Sequence, residues 1–459
     1  MEHTKRIILL YHFFHPDDVI SARLFSDIAE ESAKRGQQVL AMPSVRSCHD
    51  GAAAYAKRED WNGVEIHRVW RPDWRQGSNK GRVGNTIAML LGWTWRALWT
   101  RRSPRETVVI GTDPPLGVLV AIPWRLFRPR ARIVHWCHDL YPHAAIAEGI
   151  VRPDSVFVRL LNALLRVAYR RCDAIVDLGA CMRTELRVAR GEKRDEEKEP
   201  ESALHLTVTP WALVEPESVL EADARVRGEL FGEAKLGLLY SGNLGRAHIY
   251  KPFLELARRV SGDSIAFCYA GRGPRMDELR SELHEPSPSP PTPLPGVPGR
   301  GETQYSRGAS SQGAGVTGLG EEHYSSAPQA ASSSLKVRFA GFATEEELGK
   351  RLGAADVHMV SLAPNWTGAV VPSKFFGALA VGRPVLFAGS PESAIARWIE
   401  EFKVGWVLDD DASVERVAGE LRAFAADPSR VQAMRQHCHD VYRREFSKAV
   451  QLEKWGRIL

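Results

Sequence analysis

The sequence predicts an α/β protein built from two doubly wound domains that face each other across a cleft. Three observations carry this expectation. Short apolar runs recur, such as IILL at 7–10 and VVIG at 108–111. Strands that are apolar at successive positions are buried on both faces, as in a parallel sheet flanked by helices. Helical patterns separate these runs, which is the βαβ alternation of a parallel sheet. The same style then repeats in the second half of a chain of 459 residues, too long for one ordinary core.

In the first half, strands are expected at 6–11, 38–42, 64–70, 108–111, 133–136, 174–177 and 206–208. A helix over 21–35 turns Leu24, Ile28 and Ala29 inward, and one over 155–171 does so with Val158, Leu161, Leu165 and Ala168. The stretch 108–127 has the length and apolarity of a membrane span, but Gly111, Asp113, Pro114 and Pro115 interrupt it. It reads as a buried strand, a tight loop and a buried helix.

In the second half, strands are expected at 236–240, 265–270, 337–339, 357–361, 385–388 and 406–408. Helices are expected over 252–260, 276–283, 344–352, 373–381, 391–402 and 414–424. The domains are read as 1–212 and 213–445, joined near Pro210 and Pro216. A last helix over 446–459 is anchored by Trp455 and is expected to end on either domain. Residues 191–202 are a mixed charge run, read as a solvated loop. Residues 284–334, rich in Pro, Ser and Gly, are read as an unstructured insertion that buries too little to offset its ordering entropy.

Hydrophobic content of 44% and charged content of 25% suit a soluble globular protein, and a net charge of +5 does not call for nucleic acid. The opening residues form no export leader, because the apolar run breaks at His15 and Pro16. The expected location is cytoplasmic. The six cysteines include no CxxC pair and read as reduced thiols. Cys438, between His437 and His439, is read as part of a surface helix, and Asp409–Asp411 as a helix start capped by Asp411 or Ser413. No metal and no cofactor is expected.

Ligands of such domains bind outside the carboxyl ends of the strands. After the expected strand 236–240 come Gly242, Asn243, Gly245 and Arg246; after 265–270 come Gly271, Arg272 and Gly273. Glycines there let backbone N–H groups approach an anion, with Arg246 or Arg272 as a complementary cation. Pro372, Ser373 and Lys374 open a helix, with Ser373 as N-cap; a helix start beside a lysine suits a diphosphate. In the first domain, His138 and Asp139 follow a strand, so His138 is placed to contact a sugar or move a proton. Asp113, Pro114 and Tyr141 border the same opening.

Together these segments resemble family-4 glycosyltransferases of the GT-B fold, two Rossmann-like domains facing across a cleft, in the branch that builds bacterial surface polysaccharides. The resemblance rests on Pro16; Lys34-Arg35-Gly36; Thr112-Asp113-Pro114-Pro115; His138-Asp139-Leu140-Tyr141-Pro142; the run 174–178 with Met182; Pro210-Trp211; Tyr240-Ser241-Gly242-Asn243-Leu244-Gly245; Phe339-Ala340-Gly341-Phe342; and Pro372-Ser373-Lys374 through Pro384. They run in the family's order over nearly the whole chain outside 284–334. The resemblance implies a nucleotide-sugar co-substrate on the second domain, its base near Phe342, and an acceptor on the first. It also implies retention at the anomeric carbon without a required metal.

Some positions depart from the family pattern. Where many members carry two glutamates, this chain has Ala369 and Gly377; where they carry an arginine after the glycine, it has Asn243. Arg246 or Lys374 is the substitute cation. Family members often use saccharide or polyprenyl-linked acceptors. Consistent with that, residues 86–100 carry Trp93, Trp95 and Trp99 beside arginines, a pattern suited to an anionic membrane surface. Two other readings compete: a sugar-nucleotide epimerase of the same fold, and a nucleotide-sugar binding protein without activity.

Overall fold

A computed structural model describes residues 5–48, 53–74, 79–192, 204–283, 329–332 and 335–459. In chain order the strands are β1 (Arg6–Leu10), β2 (Gln38–Ala41), β3 (Arg58–Trp61), β4 (Val64–His67), β5 (Glu106–Gly111), β6 (Arg132–Trp136), β7 (Ala174–Asp177) and β8 (His205–Thr207). They continue with β9 (Leu236–Ser241), β10 (Ile265–Ala270), β11 (Gln329–Ser332), β12 (Val337–Ala340), β13 (Val357–Ser361), β14 (Val385–Ala388) and β15 (Gly405–Leu408).

They form two sheets, ordered β3-β4-β2-β1-β5-β6-β7-β8 and β11-β12-β10-β9-β13-β14-β15. Each sheet is parallel except at one edge, where β3 pairs antiparallel with β4, and β11 with β12. Central strands such as β5, β10 and β13 are buried at every position, which is why apolar runs marked them. The order reverses beside β1 and beside β9, and these switch points open the crevices in which doubly wound sheets hold ligands.

Several boundaries differ from the sequence reading. β3 was not expected: its sequence REDW is charged, and it is stabilised as a hairpin edge against β4. The strand expected over 64–70 stops at His67. β11 lies within the segment read as unstructured; residues 284–328, most of that segment, lie outside the described residues, as does 193–203 of the charge run. The helix Asp411–Ala426 is capped by Asp410, whose carboxylate accepts from Ser413 N at 2.7 Å in a reciprocal capping box, rather than by Asp411 or Ser413. Cys438 and His439 do not lie on a surface face; both are buried in the helix Pro428–Val441. The described cysteines are free, and among the described residues no cluster of His, Cys, Asp or Glu could hold a metal ion.

The end of the chain ties the two halves together. The final helix, Lys448–Ile458, lies against the first sheet: the Trp455 ring sits 5.0 Å from that of Trp136, and Gln451 Oε1 accepts from Thr209 N at 3.1 Å. Asp27 joins Lys448 Nζ at 2.6 Å and Trp211 Nε1 at 2.9 Å. Across the opening, the Arg23 guanidinium grips the Glu345 carboxylate at 2.5 and 2.6 Å.

Behind the second sheet, fully buried Arg383 fixes the helix Lys374–Ala380 to its surroundings. It donates to the carbonyls of Ala355 (2.7 Å), Val381 (2.8 Å), Gly353 (2.5 Å) and Leu220 (2.5 Å). Arg383→Met would leave these carbonyls unpaired in a dry interior. We expect a loss of about 3 kcal/mol in chemical denaturation, the scale of a broken buried polar network. A loss below about 1 kcal/mol would contradict this role.

Candidate active site

The site is built where the carboxyl ends of both sheets meet. Leu140 N, just past β6 in the first domain, donates to Ala369 O of the second at 2.8 Å. Asn365 Nδ2 donates to Ala147 O at 3.0 Å nearby. The loop carrying His138 and Asp139 is thus tied to the segment that leads into Ser373 and Lys374.

On the second domain, the glycine loops are conformational devices. The Gly242 amide donates to Ala270 O at 2.8 Å and the Gly271 amide to Ala340 O at 2.9 Å, so both extend the sheet bonding rather than face an anion, contrary to the sequence reading. Their need for glycine is steric. Gly271 has φ +141°, and a Cβ there would meet Gly242 O at 2.1 Å; at Gly273 (φ +129°) it would meet Asn243 Oδ1 at 2.4 Å. A Cβ on Gly242 would meet Lys374 Cε at 2.9 Å, so the bare glycine is the surface on which the lysine stem lies.

Lys374 is the centre of the arrangement. Its Nζ donates to Asn243 O at 3.3 Å and to His248 Nε2 at 3.4 Å, and it lies 5.3 Å from the Tyr240 ring centre. Ser361 O, an acceptor only, is 2.6 Å from His248 Nδ1. Nδ1 therefore carries the proton, and the Nε2 lone pair faces the ammonium. Burial, then the Lys374 charge, pushes the His248 pKa down to about 3, which keeps the ring neutral. Among the described residues no carboxylate lies within ion-pair distance of Lys374, and burial lowers its pKa to about 8.

Ser373 does not cap its helix. Its backbone is already helical (φ −64°, ψ −18°) and its side chain makes no capping bond. The turn closes tightly instead, with Phe376 N bonded to Ser373 O at 3.1 Å. Nearby, the Arg272 guanidinium lies 5.3 Å from the centre of the Phe342 ring. Arg246 and Asn243 are exposed on the loop beyond Gly242. The Arg246 charge reaches the first domain, where it acts against the burial that raises the pKa of Glu148.

In the first domain, the Thr112 hydroxyl accepts from His138 N at 3.0 Å and fixes the start of the loop. The His138 ring packs 4.1 Å from Trp136, and neither ring nitrogen has a partner among the described residues. Burial, then His135, lowers its pKa to about 3, so near neutral pH the ring offers a hydrogen bond rather than carrying a proton. Burial, then the Asp113 charge, raises Asp139 to about 7. Burial also raises the Tyr141 hydroxyl, and Pro114 is buried beneath the loop.

Two histidines escaped the sequence reading. His248 orients Lys374. His12, buried past the end of β1, has Nδ1 3.0 Å from Asp113 Oδ1, while its Nε2 is unpartnered among the described residues. Neither carried a motif in the sequence: each sits in a loop after a strand, His12 after β1 and His248 after β9.

No family model matches the chain. A probable glycosyltransferase, WbjE of Pseudomonas aeruginosa, is 23% identical over 326 residues, covering 70% of this chain and 68% of that protein. Anabaena HepE, solved in complex with UDP and glucose, is 11% identical with a TM-score of 0.57 over 99% of this chain and 98% of that one. Sucrose-phosphate synthase from Thermosynechococcus elongatus is 12% identical with a TM-score of 0.61, covering 99% and 98%. At such identities the structures speak for architecture: two parallel-sheet α/β domains in the GT-B arrangement.

The Lys374 environment has a direct consequence. Its ammonium should lose its proton as pH rises through about 8, against an ordinary value of 10.5. Between those values the unfolded chain holds the extra proton, so this residue's contribution to stability rises with pH. An NMR titration of labelled lysine, assigned with Lys374→Arg, should show one midpoint near 8. A full set of ordinary midpoints would refute the described burial.

Proposed function

We propose that this chain is a glycosyltransferase that moves a sugar from a nucleotide diphosphate sugar to a saccharide or polyprenyl-linked saccharide acceptor. The observation that carries the reading is Lys374: a desolvated cation whose partners among the described residues are all neutral, fixed over a glycine at the cleft. A positive charge held without a carboxylate is matched by an anionic ligand, and a diphosphate fits that chemistry. WbjE's name and the UDP in HepE agree in kind.

In this proposal the donor lies on the second domain. Its diphosphate meets Lys374 and the loops at Gly242, Asn243, Gly245, Gly271 and Gly273, with Arg246 at the rim and the Ser373 turn beneath. Its base lies against Phe342, which Arg272 covers. As the bond from the anomeric carbon to the diphosphate breaks, negative charge grows on the leaving group, and the fixed ammonium stabilises it without reorganising. His138 offers hydrogen bonds to the sugar, and Asp139, protonated below about pH 7, can donate one. The acceptor lies against the first domain near Asp113, Pro114 and Tyr141, where His12 Nε2 can accept a hydrogen bond from an acceptor hydroxyl. Retention, independence from metal, hexosyl transfer and a role in cell-surface polysaccharide synthesis belong to the proposal. So does action in the cytoplasm at the inner face of the cell membrane; no helix of the described residues is long and apolar enough to cross one.

The test is a screen of nucleotide sugars for thermal stabilisation and donor hydrolysis, followed by product analysis with acceptor lipids. A transferred sugar and released nucleoside diphosphate are expected, with the anomeric configuration kept. Lys374→Ala should weaken nucleoside diphosphate binding about tenfold or more, the loss of one charge-assisted contact, and Arg246→Ala by less. Unchanged affinity in both variants removes the diphosphate assignment. A converted sugar still on its nucleotide, without acceptor, would make the chain an epimerase. Tight donor binding with no turnover would make it a binding protein.

A further inference from the structure

The outer side of the first domain carries an apolar surface that no part of the described chain covers. The helix Asn79–Trp99 exposes Val83, Ile87, Leu91, Trp95 and Trp99, each four residues after the last, so they form one stripe; Trp99 is 70% exposed. Its other face is well seated: Trp93 is fully buried and its Nε1 donates to Met42 O at 2.8 Å. The stripe is therefore not a misplaced core face.

A second stripe lies on the helix Val156–Tyr169. Val158, Leu165, Ala168 and Tyr169 face the core, while Phe157, Leu160, Leu164 and Val167 are exposed along the opposite side, Leu160 to 67%. An amphipathic helix of a soluble domain would place polar residues there. Between the two, the short helix Ala121–Phe127 packs against both and exposes Leu126 to 72%. Trp124 Nε1 donates to Trp93 O at 3.2 Å on one side, and Arg125 Nη2 to Arg171 O at 3.0 Å on the other. The three helices thus present one continuous face.

The charge around this face has one sign. Exposed Arg101, Arg102, Arg130, Arg159, Arg166 and Arg171 ring it. Over residues 79–105, 121–131 and 150–171 the single acid is Asp154. Two copies docked through this surface would press like charges together, so the chemistry argues against a self-association face.

We infer that these three helices form a docking surface for an anionic lipid bilayer, with the apolar stripes entering the headgroup boundary and the arginines meeting the lipid phosphates. Apolar insertion and electrostatic attraction act together in such a surface. The geometry relates this surface to the cleft. Helices of a parallel sheet run against their strands, so Val83 and Phe157 lie toward the strands' carboxyl ends, while Trp99 lies at the far end. The Arg82 charge, from the first turns of the long helix, acts on both Tyr141 and Glu148. One end of the docked face is thus the rim of the cleft. The inference deepens, and rests on, the proposed action at the membrane's inner face; it is separable from the sugar transfer, since it needs no substrate.

The test is co-sedimentation of the full chain, without donor or acceptor, with vesicles of phosphatidylcholine alone or mixed with phosphatidylglycerol. Binding to the anionic vesicles should be at least tenfold tighter than to the neutral ones. It should fall at least tenfold in Leu160→Ser with Leu164→Ser, and in Arg159→Glu with Arg166→Glu. Because these side chains are exposed, melting temperatures should stay near that of the parent. Equal or absent binding to both vesicles would overturn the proposal, as would binding that both variants leave intact. Lipid-free self-association abolished by the same variants would assign the face to protein instead. Loss of donor binding in Lys374→Ala with vesicle binding intact would keep the two proposals separate.

Discussion

A half-buried ammonium with no counter-ion among the described residues is the constraint on which the rest of this structure turns. Desolvating a cation costs free energy unless hydrogen bonds and nearby electron density replace the water it loses. Around Lys374 that replacement is partial: a carbonyl, a neutral imidazole and the face of a tyrosine. Each of these is itself held. His248 is fixed by Ser361 O, Asn243 by glycine turns that admit no side chain, and the helix that carries the lysine by Arg383. The scaffold keeps the charge in place, and in the proposed function a ligand neutralises it.

The second domain's charge gains meaning from the first domain's docking against it. The Leu140–Ala369 bond and the Arg23–Glu345 pair bring the two strand ends together, while the last helix returns to the first sheet. Ala369, where a glutamate would follow the resemblance, contributes its carbonyl to this junction instead. A missing carboxylate at that point does not leave a gap in the domain contact. Among the described residues, the nitrogens of His138 and the Nε2 of His12 are unpartnered past the strand ends of the first domain, where the proposed acceptor and sugar would need polar groups not already used.

Much of the fold was legible because burial on both faces writes itself into sequence as uninterrupted apolar runs. β5, β10, β13 and β14 are fully buried and were visible for that reason. β3 was not, because an edge strand of charged residues is stabilised by its partner rather than by its composition. The helix around Cys438 was expected, but its polar composition hid the burial of Cys438 and His439 within Pro428–Val441. At the site, the glycines and Lys374 were visible as types, but the roles of the Gly242 and Gly271 amides were not. Whether an amide extends a sheet or faces a ligand is decided by neighbouring strands distant in sequence. His12 and His248 carry no local pattern at all; only the fold brings Asp113 to one and Lys374 to the other. The second exposed stripe was hidden for a related reason: apolar residues on both sides of the helix Val156–Tyr169 look in sequence like a wider core face.

The most direct measurement is a crystal structure of the chain with a nucleoside diphosphate bound. The account predicts a phosphate oxygen within hydrogen-bond distance of Lys374 Nζ and the base against Phe342. A diphosphate bound elsewhere, with Lys374 still facing only Asn243 and His248, would contradict it.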